Sequence, residues 1–142
     1  MKKVLFVCLG NICRSPMAEM VFKDLVRKNG LEKEFYIDSA ATSSEEVGNG
    51  IHRKEGIPFT DHRARRITKE DYEKFDYIIG MEERNIINIL RIIEDDKEQK
   101  VCRLLDFTDN PRDIADPWYT GNFDVTYKDV LEGCKALLNQ IV

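Results

Sequence analysis

Cys8 and Arg14 bracket a short segment that has the composition of an anion-binding loop. Five residues separate the two, and Ser15 follows Arg14 directly. Backbone N–H groups that curl around one point bind a phosphate-like dianion, and the positive end of a helix dipole adds to that binding. Arg14 can hold two of the anion's oxygens at once. Because the same field and the Ser15 hydroxyl stabilise a thiolate, the segment predicts Cys8 as a nucleophile that attacks a phosphoryl group.

Asp116 is the candidate proton donor for such an attack. An alkoxide or phenoxide is a poor leaving group at neutral pH, so the departing oxygen needs a proton. Asp116 lies in a segment rich in Asp, Pro, Asn and Gly, and Pro117 favours an extended backbone at Asp116. Trp118 and Tyr119 come next; they either wall a slot for an aromatic group or pack in the core.

The apolar pattern predicts the elements that would position these residues. Short apolar and β-branched runs predict strands over residues 3–8, 35–40, 76–81 and 101–105. Helical spacing predicts long helices from the Ser15 cap to Asn29, over residues 83–93 and at the C-terminus, and short helices over 51–55 and after Thr68. Residues 42–50 and 106–124 are predicted as loops.

This alternation of strands and helices predicts the fold class. It is α/β, a single-domain three-layer sandwich with a central four-stranded parallel sheet and helices on both faces. Ligands of such folds bind beyond the carboxyl ends of the strands. The loop from Cys8 to Ser15 and the segment around Asp116 both follow strands, so both are expected at that edge of the sheet.

Size and charge narrow the class of protein. The 142 residues, 42% of them hydrophobic and 34% charged, fit one soluble domain over residues 1–142. The net charge of -4 argues against a nucleic-acid partner, so any anion site is local. The apolar run over residues 4–9 is too short for a membrane span or a secretory core. A cytoplasmic location is therefore expected, with no membrane partner and with the four cysteines as thiols.

The remaining cysteines and a group of arginines have structural interpretations. Cys102 lies on a predicted strand and Cys134 on the apolar stripe of the last helix, so both are expected to be core thiols. The cysteine spacing does not match a zinc site, and no metal is expected. Arg63, Arg65 and Arg66 form a basic cluster that is either a solvated face or a surface that attracts acidic partners.

Over almost its whole length the chain resembles the low-molecular-weight protein tyrosine phosphatases. The resemblance rests on residues 7–19 (VCLGNICRSPMAE), 38–42 (DSAAT), 62–71, 76–81 and 116–119 (DPWY), which follow in the family's order. It implies that Cys8 forms a phosphocysteine, that Arg14 clamps the phosphoryl group, and that Asp116 protonates the phenolic oxygen and then activates water. It implies no metal or organic cofactor. The implied partners are phosphotyrosine-containing proteins, with inorganic phosphate as product and competitive ligand.

The resemblance also assigns supporting residues. The implied phosphate-binding loop consists of Leu9, Gly10, Asn11, Ile12, Cys13 and Ser15. Asn11, Ser39 and His62 match the residues that hold this loop in shape, and Ser15 matches the one that stabilises the thiolate. Cys13 has two interpretations, which stay open: a redox partner that protects Cys8 through a disulfide, or a small residue packed under the loop.

Two positions depart from the family's usual pattern. Glu45 stands where relatives often carry an aromatic residue, and with Trp118 and Tyr119 it is expected to wall the substrate pocket. A carboxylate there predicts a preference for phosphotyrosine peptides with basic residues nearby. Glu82 stands where Asp is common, and this change is expected to have little effect.

Three alternatives compete with phosphotyrosine hydrolysis. A protein arginine phosphatase of the same fold ranks second, because such relatives tend to carry Thr where this chain has Ile12. Arsenate reductases of this fold need closely spaced cysteines on a mid-chain helix, and residues 82–96 contain none. A non-hydrolytic phosphocysteine carrier or binding module has no reason to keep both Arg14 and Asp116.

Overall fold

A four-stranded parallel sheet organises the residues that the structure describes. The structure is a computed structural model, and it describes residues 1–10, 14–43 and 65–142, with only the backbone of Trp118 and Tyr119. The strands are β1 (Lys2–Cys8), β2 (Phe35–Ala41), β3 (Tyr77–Gly80) and β4 (Val101–Arg103), in the order β2-β1-β3-β4. The predicted α/β fold with its parallel sheet is confirmed.

Helices cover both faces of this sheet. They are α1 (Arg14–Lys28), α2 (Lys69–Lys74), α3 (Glu83–Ile93), α4 (Pro117–Thr120) and α5 (Phe123–Ile141). Successive residues of β1 alternate between two cores: Phe6 packs with apolar side chains of α1 and α5, whereas Leu5 packs with those of α2 and α3. Central β1 is therefore buried on both sides, which explains why its sequence is a continuous apolar run.

Most of the predicted element boundaries agree with the structure. The helix predicted over residues 83–93 is α3, and the short helix predicted after Thr68 is α2, where the Thr68 backbone N–H donates to Asp71. The helix predicted over residues 51–55 lies outside the described residues, as do residues 44–50 of the predicted loop.

Two predictions in the second half of the chain are wrong. The strand predicted over 101–105 ends at Arg103, because the fully buried Leu104 and Leu105 turn into a 3-10 helix (Leu104–Phe107). Asp106 fixes this turn by accepting the backbone N–H of Arg103 at 2.9 Å. Residues 106–124 are also not a continuous loop, since they contain the end of this turn, all of α4 and the start of α5.

Where the structure describes it, the basic cluster combines Arg65, which is held by ion pairs, with Arg66, which is exposed. The guanidinium group of Arg65 pairs with Asp38 and Asp71, both at 3.0 Å, and so links β2 to α2. Arg66 donates to the backbone carbonyl of Thr42 at 3.4 Å. Arg63 lies outside the described residues.

Among the helices that the structure describes, none is long and apolar enough to cross a membrane.

Candidate active site

The predicted nucleophile lies where the central strand gives way to the first helix. Cys8 is the last residue of β1, and its side chain is almost completely buried on the α1 side of the sheet. Its Sγ atom lies 3.0 Å from Oγ of Ser15, which is in the first turn of α1. When the sulfur is ionised the hydroxyl donates to it, and the N-terminal end of the α1 dipole adds a positive potential.

The guanidinium group of Arg14 is held from three sides. Its Nη1 donates to the backbone carbonyl of Ile114 at 2.8 Å and lies 3.2 Å from the Glu82 carboxylate. Its Nη2 lies 3.5 Å from Oδ2 of Asp116. Only 3% of the side chain is exposed, so an unpaired charge here would be costly. These contacts fix the plane of the guanidinium group.

Asp116 is brought to this site from the far end of the chain. The carboxylate of Asp116 contacts Arg14, and Ser15, the next residue, contacts the Cys8 sulfur. The Asp116 carboxylate therefore lies at the same end of the sheet as Cys8. The backbone carbonyl of Asp116 accepts the N–H of Thr120, and 18% of its side chain is exposed. The structure thus brings Cys8, Arg14, Ser15 and Asp116 together, as predicted. The catalytic role of Asp116 stays a prediction.

Ser39 participates in a buried network that the sequence patterns did not predict. Its hydroxyl donates to Oε1 of Glu19 at 2.5 Å, and Lys23 donates to Oε2 of the same carboxylate at 2.6 Å. Glu19 and Ser39 are both almost fully buried. The one signal in the sequence is a carboxylate on the apolar face of α1 with a lysine four residues later. Ser39 lies beside α1, and its role in holding the phosphate loop stays a prediction.

Glu82 contacts Arg14 directly, although the sequence suggested only a minor change at this position. Asn85, which is completely buried, holds the turn that carries Glu82: its Oδ1 accepts the backbone N–H of Met81 at 2.9 Å and of Glu82 at 3.0 Å. Within the described chain its Nδ2 has no hydrogen-bond partner. Gly80 permits this packing, because a Cβ there would lie 3.0 Å from Cβ of Asn85.

The other candidate residues are only partly placed. Leu9 is 40% exposed, and its carbonyl accepts the N–H of Ser43, so the pairing of β1 with β2 continues beyond the strands. Gly10 follows at the edge of the described segment. Outside the described residues lie Asn11, Ile12, Cys13, Glu45 and His62. Trp118 and Tyr119 belong to α4, which begins directly after Asp116.

Cys102 and Cys134 have a different environment from Cys8. Burial raises the pKa of Cys102 to about 12, and the carboxylates of Asp106 and Asp96 add to the rise. Burial also raises the pKa of the Cys134 thiol. Cys134 is a core residue, as predicted, whereas Cys102 is only partly buried against the core. Both are therefore thiols at neutral pH.

Alkylation at neutral pH should therefore leave Cys102 and Cys134 unmodified while Cys8 reacts. A pKa of about 12 leaves a thiolate fraction on the order of 10⁻⁵ at Cys102. Mass spectrometry after brief iodoacetamide treatment measures each site. Labelling of Cys102 at the rate of Cys8 would contradict this account, and labelling of Cys102 should increase as the pH is raised towards its pKa.

Comparison with known proteins agrees with this fold. Residues 3–142 match the family model described as low molecular weight phosphotyrosine protein phosphatase, and the chain belongs to that family. The low molecular weight protein-tyrosine-phosphatase YfkJ of Bacillus subtilis is 42% identical over 99% of this chain and 96% of its own. The crystal structure of YfkJ gives a TM-score of 0.94, covering 99% of this chain and 94% of that one.

Two further relatives show the range of the family. The mouse low molecular weight phosphotyrosine protein phosphatase is 45% identical over 98% of this chain and 95% of its own. The crystal structure of DARP, described as a Drosophila arginine phosphatase, is 32% identical with a TM-score of 0.85, over 99% of this chain and 97% of that one.

Proposed function

We propose that this chain is a protein tyrosine phosphatase, a phosphoric monoester hydrolase that uses a cysteinyl-phosphate intermediate. Two contacts support it best: Cys8 Sγ lies 3.0 Å from Oγ of Ser15, and the guanidinium group of the preceding residue, Arg14, lies 3.5 Å from the Asp116 carboxylate. Membership of the family supports the same reaction. Residues 1–142 are proposed to act as one domain.

In the first step, the Cys8 thiolate attacks phosphorus and an S–P bond forms. The bond from phosphorus to the phenolic oxygen breaks, and protonated Asp116 gives its proton to that oxygen, so the phenol leaves neutral. Arg14 binds two of the phosphoryl oxygens, and its grip strengthens as charge spreads over them in the transition state. The Asp116 carboxylate lies 3.5 Å from Arg14, so we expect it to lie beside the leaving oxygen when Arg14 binds the phosphoryl group.

In the second step, water hydrolyses the phosphocysteine. The Asp116 carboxylate takes a proton from the water as its oxygen attacks phosphorus, the S–P bond breaks, and the Cys8 thiolate is restored with the help of the Ser15 hydroxyl. The product is inorganic phosphate, which competes with substrate for the same loop. The loop residues Leu9 to Cys13 are proposed to supply the amide cradle, with Ser39 and His62 as its supports.

Phosphate release by the purified protein tests this proposal. We expect rapid release from phosphotyrosine peptides, competitive inhibition by inorganic phosphate, and slow release from phosphoarginine peptides. The similarity to DARP makes phosphoarginine the second candidate substrate, so faster turnover of phosphoarginine would favour that alternative. If neither substrate is turned over, the chain is not a phosphatase and the carrier alternative gains support.

Replacing Asp116 with asparagine should slow hydrolysis of substrates with poor leaving groups much more than that of activated ones. The amide cannot donate an acidic proton, so phenyl phosphate should lose about 10²-fold or more in kcat/KM, and 4-nitrophenyl phosphate much less. Equal losses on both substrates would show that another group is the acid.

Glu45 is proposed to form the wall of the substrate pocket together with Trp118 and Tyr119. A carboxylate at the rim attracts positive charge, so peptides with Lys or Arg next to phosphotyrosine should have higher kcat/KM than matched acidic peptides. Glu45→Trp and Glu45→Gln should both remove this preference, because neither replacement carries a negative charge. Equal turnover of both peptides by the unaltered protein would contradict the prediction.

The cellular setting is proposed from the chemistry. A thiolate nucleophile must stay reduced, which favours a reducing compartment such as the cytoplasm. Phosphotyrosine-containing proteins are the proposed partners, and neither a nucleic acid nor a membrane is expected among them.

A further inference from the structure

Asp113 connects the segment that carries Asp116 to the start of α3, and the proposed mechanism gives it no role. Its Oδ1 accepts the backbone N–H of Glu83, the first residue of α3, at 2.9 Å. The same oxygen lies 3.0 Å from Nη1 of Arg103 at the end of β4. Half of the Asp113 side chain is exposed. A half-exposed residue with two such defined contacts is more than a solvated surface charge.

The residue after Asp113 fastens the same segment to the active site. The backbone N–H of Ile114 donates to the carbonyl of Met81 at 2.9 Å, and its own carbonyl accepts Nη1 of Arg14 at 2.8 Å. The Ile114 side chain is completely buried. Asp113 and Ile114 therefore hold the segment between the start of α3 and Arg14.

The position of Asp116 depends on this attachment because the chain between them is short. Three residues of extended chain span at most about 10 Å, so fixing Asp113 limits how far Asp116 can move. A displacement of about 1 Å at a reacting group can lower a rate by about 10²-fold. A residue that limits the displacement of the acid contributes to catalysis without touching the substrate.

We propose that Asp113 is a positioning residue for Asp116. Asp113 holds the segment that carries Asp116 against the start of α3. Glu82, directly before α3, contacts Arg14, so Asp113 fixes the position of the acid relative to the phosphoryl clamp. This inference rests on the proposed function.

The surroundings of Asp113 allow its effect to be isolated. Arg103 keeps its other partner when Asp113 is removed, because its Nε and Nη2 donate to Asp106 at 3.1 and 2.9 Å. The end of β4 therefore stays attached to Asp106, while residue 113 loses its links to α3 and to Arg103. Asp109 provides a matched control, since it carries the same charge in the same connection between β4 and α4.

The test measures kcat/KM of Asp113→Ala, Asp113→Asn and Asp109→Ala with phenyl phosphate and with 4-nitrophenyl phosphate. Asp113→Ala should lose about 5- to 30-fold on phenyl phosphate, whose departure needs the acid, and less than about threefold on the activated substrate. Asp113→Asn keeps an oxygen that accepts the Glu83 N–H, so it should recover most of the loss. Asp109→Ala should match the unaltered protein on both substrates.

A double substitution distinguishes positioning from general damage. In an Asp116→Asn background there is no acid to position, so adding Asp113→Ala should cause no further loss. A further loss of the same size, an equal loss on both substrates, or a phenotype like that of Asp109→Ala would overturn the positioning role. Failure of the unaltered protein to hydrolyse either aryl phosphate would instead overturn the proposed function.

Discussion

Replacing Cys8 with serine should abolish turnover while leaving the fold and phosphate binding intact. Serine is close in size to cysteine, so the contact with Ser15 and the packing under α1 can persist. A serine hydroxyl is not ionised at neutral pH, and its neighbour Ser15 is not a base that could activate it, so the loss should be on the order of 10⁴-fold or more. Phosphate release measures the activity, and stabilisation of the protein by inorganic phosphate against heat measures binding.

Cys102→Ser is the matched control for this substitution. Cys102 lies on β4, its pKa is raised to about 12, and it has no role in the proposed chemistry. We therefore expect Cys102→Ser to retain activity within about twofold. Wild-type turnover by Cys8→Ser would exclude a cysteinyl-phosphate mechanism.

Replacing Arg14 with lysine should lower kcat by about 10³-fold although the positive charge is kept. The planar guanidinium group can bind two phosphoryl oxygens at once and at the same time keep its bonds to Ile114 and Glu82, whereas an ammonium group acts as a single point charge. The lost contacts are ones that strengthen in the transition state, so kcat should fall more than KM rises. Steady-state kinetics with an aryl phosphate measures both.

Arg112→Lys is the control for Arg14→Lys. Arg112 also donates to one backbone carbonyl, that of Asn110, and pairs with two carboxylates, those of Asp129 and Glu132. These two carboxylates belong to α5 and not to the elements that carry Cys8 and Asp116, so activity should stay within about twofold. Near-wild-type activity of Arg14→Lys, or equal losses in the two variants, would contradict the assignment of Arg14 as the clamp.

The features of this fold that can be predicted from the sequence depend on local patterns. The β1 strand is a continuous apolar run, and α1 begins at the Arg14-Ser15-Pro16 signal, so sequence spacing alone places Cys8, Arg14 and Ser15 together. Asp116 can be proposed because the chemistry demands an acid and its segment follows the fourth strand, which places it at the carboxyl edge of the sheet.

The contacts that hold the site depend on tertiary packing and cannot be predicted in the same way. Glu82 is on a different strand–helix unit from Arg14, so no spacing in the sequence indicates their contact. Asn85 and Asp113 act through backbone groups of that unit. The prediction of a strand over 101–105 is wrong for a similar reason. Asp106 accepts the backbone N–H of Arg103, and the apolar residues Leu104 and Leu105 form a 3-10 helix there.

Trapping the phosphoenzyme and identifying the phosphorylated residue tests covalent catalysis by Cys8 directly. Asp116→Asn should form the intermediate from an activated aryl phosphate and hydrolyse it slowly, because it lacks the base for the second step. A denaturing quench within milliseconds, followed by digestion and mass spectrometry, should find phosphate on Cys8, and none when Cys8 is serine in the same background. Phosphate on another residue, or turnover without any phosphoenzyme, would contradict the account.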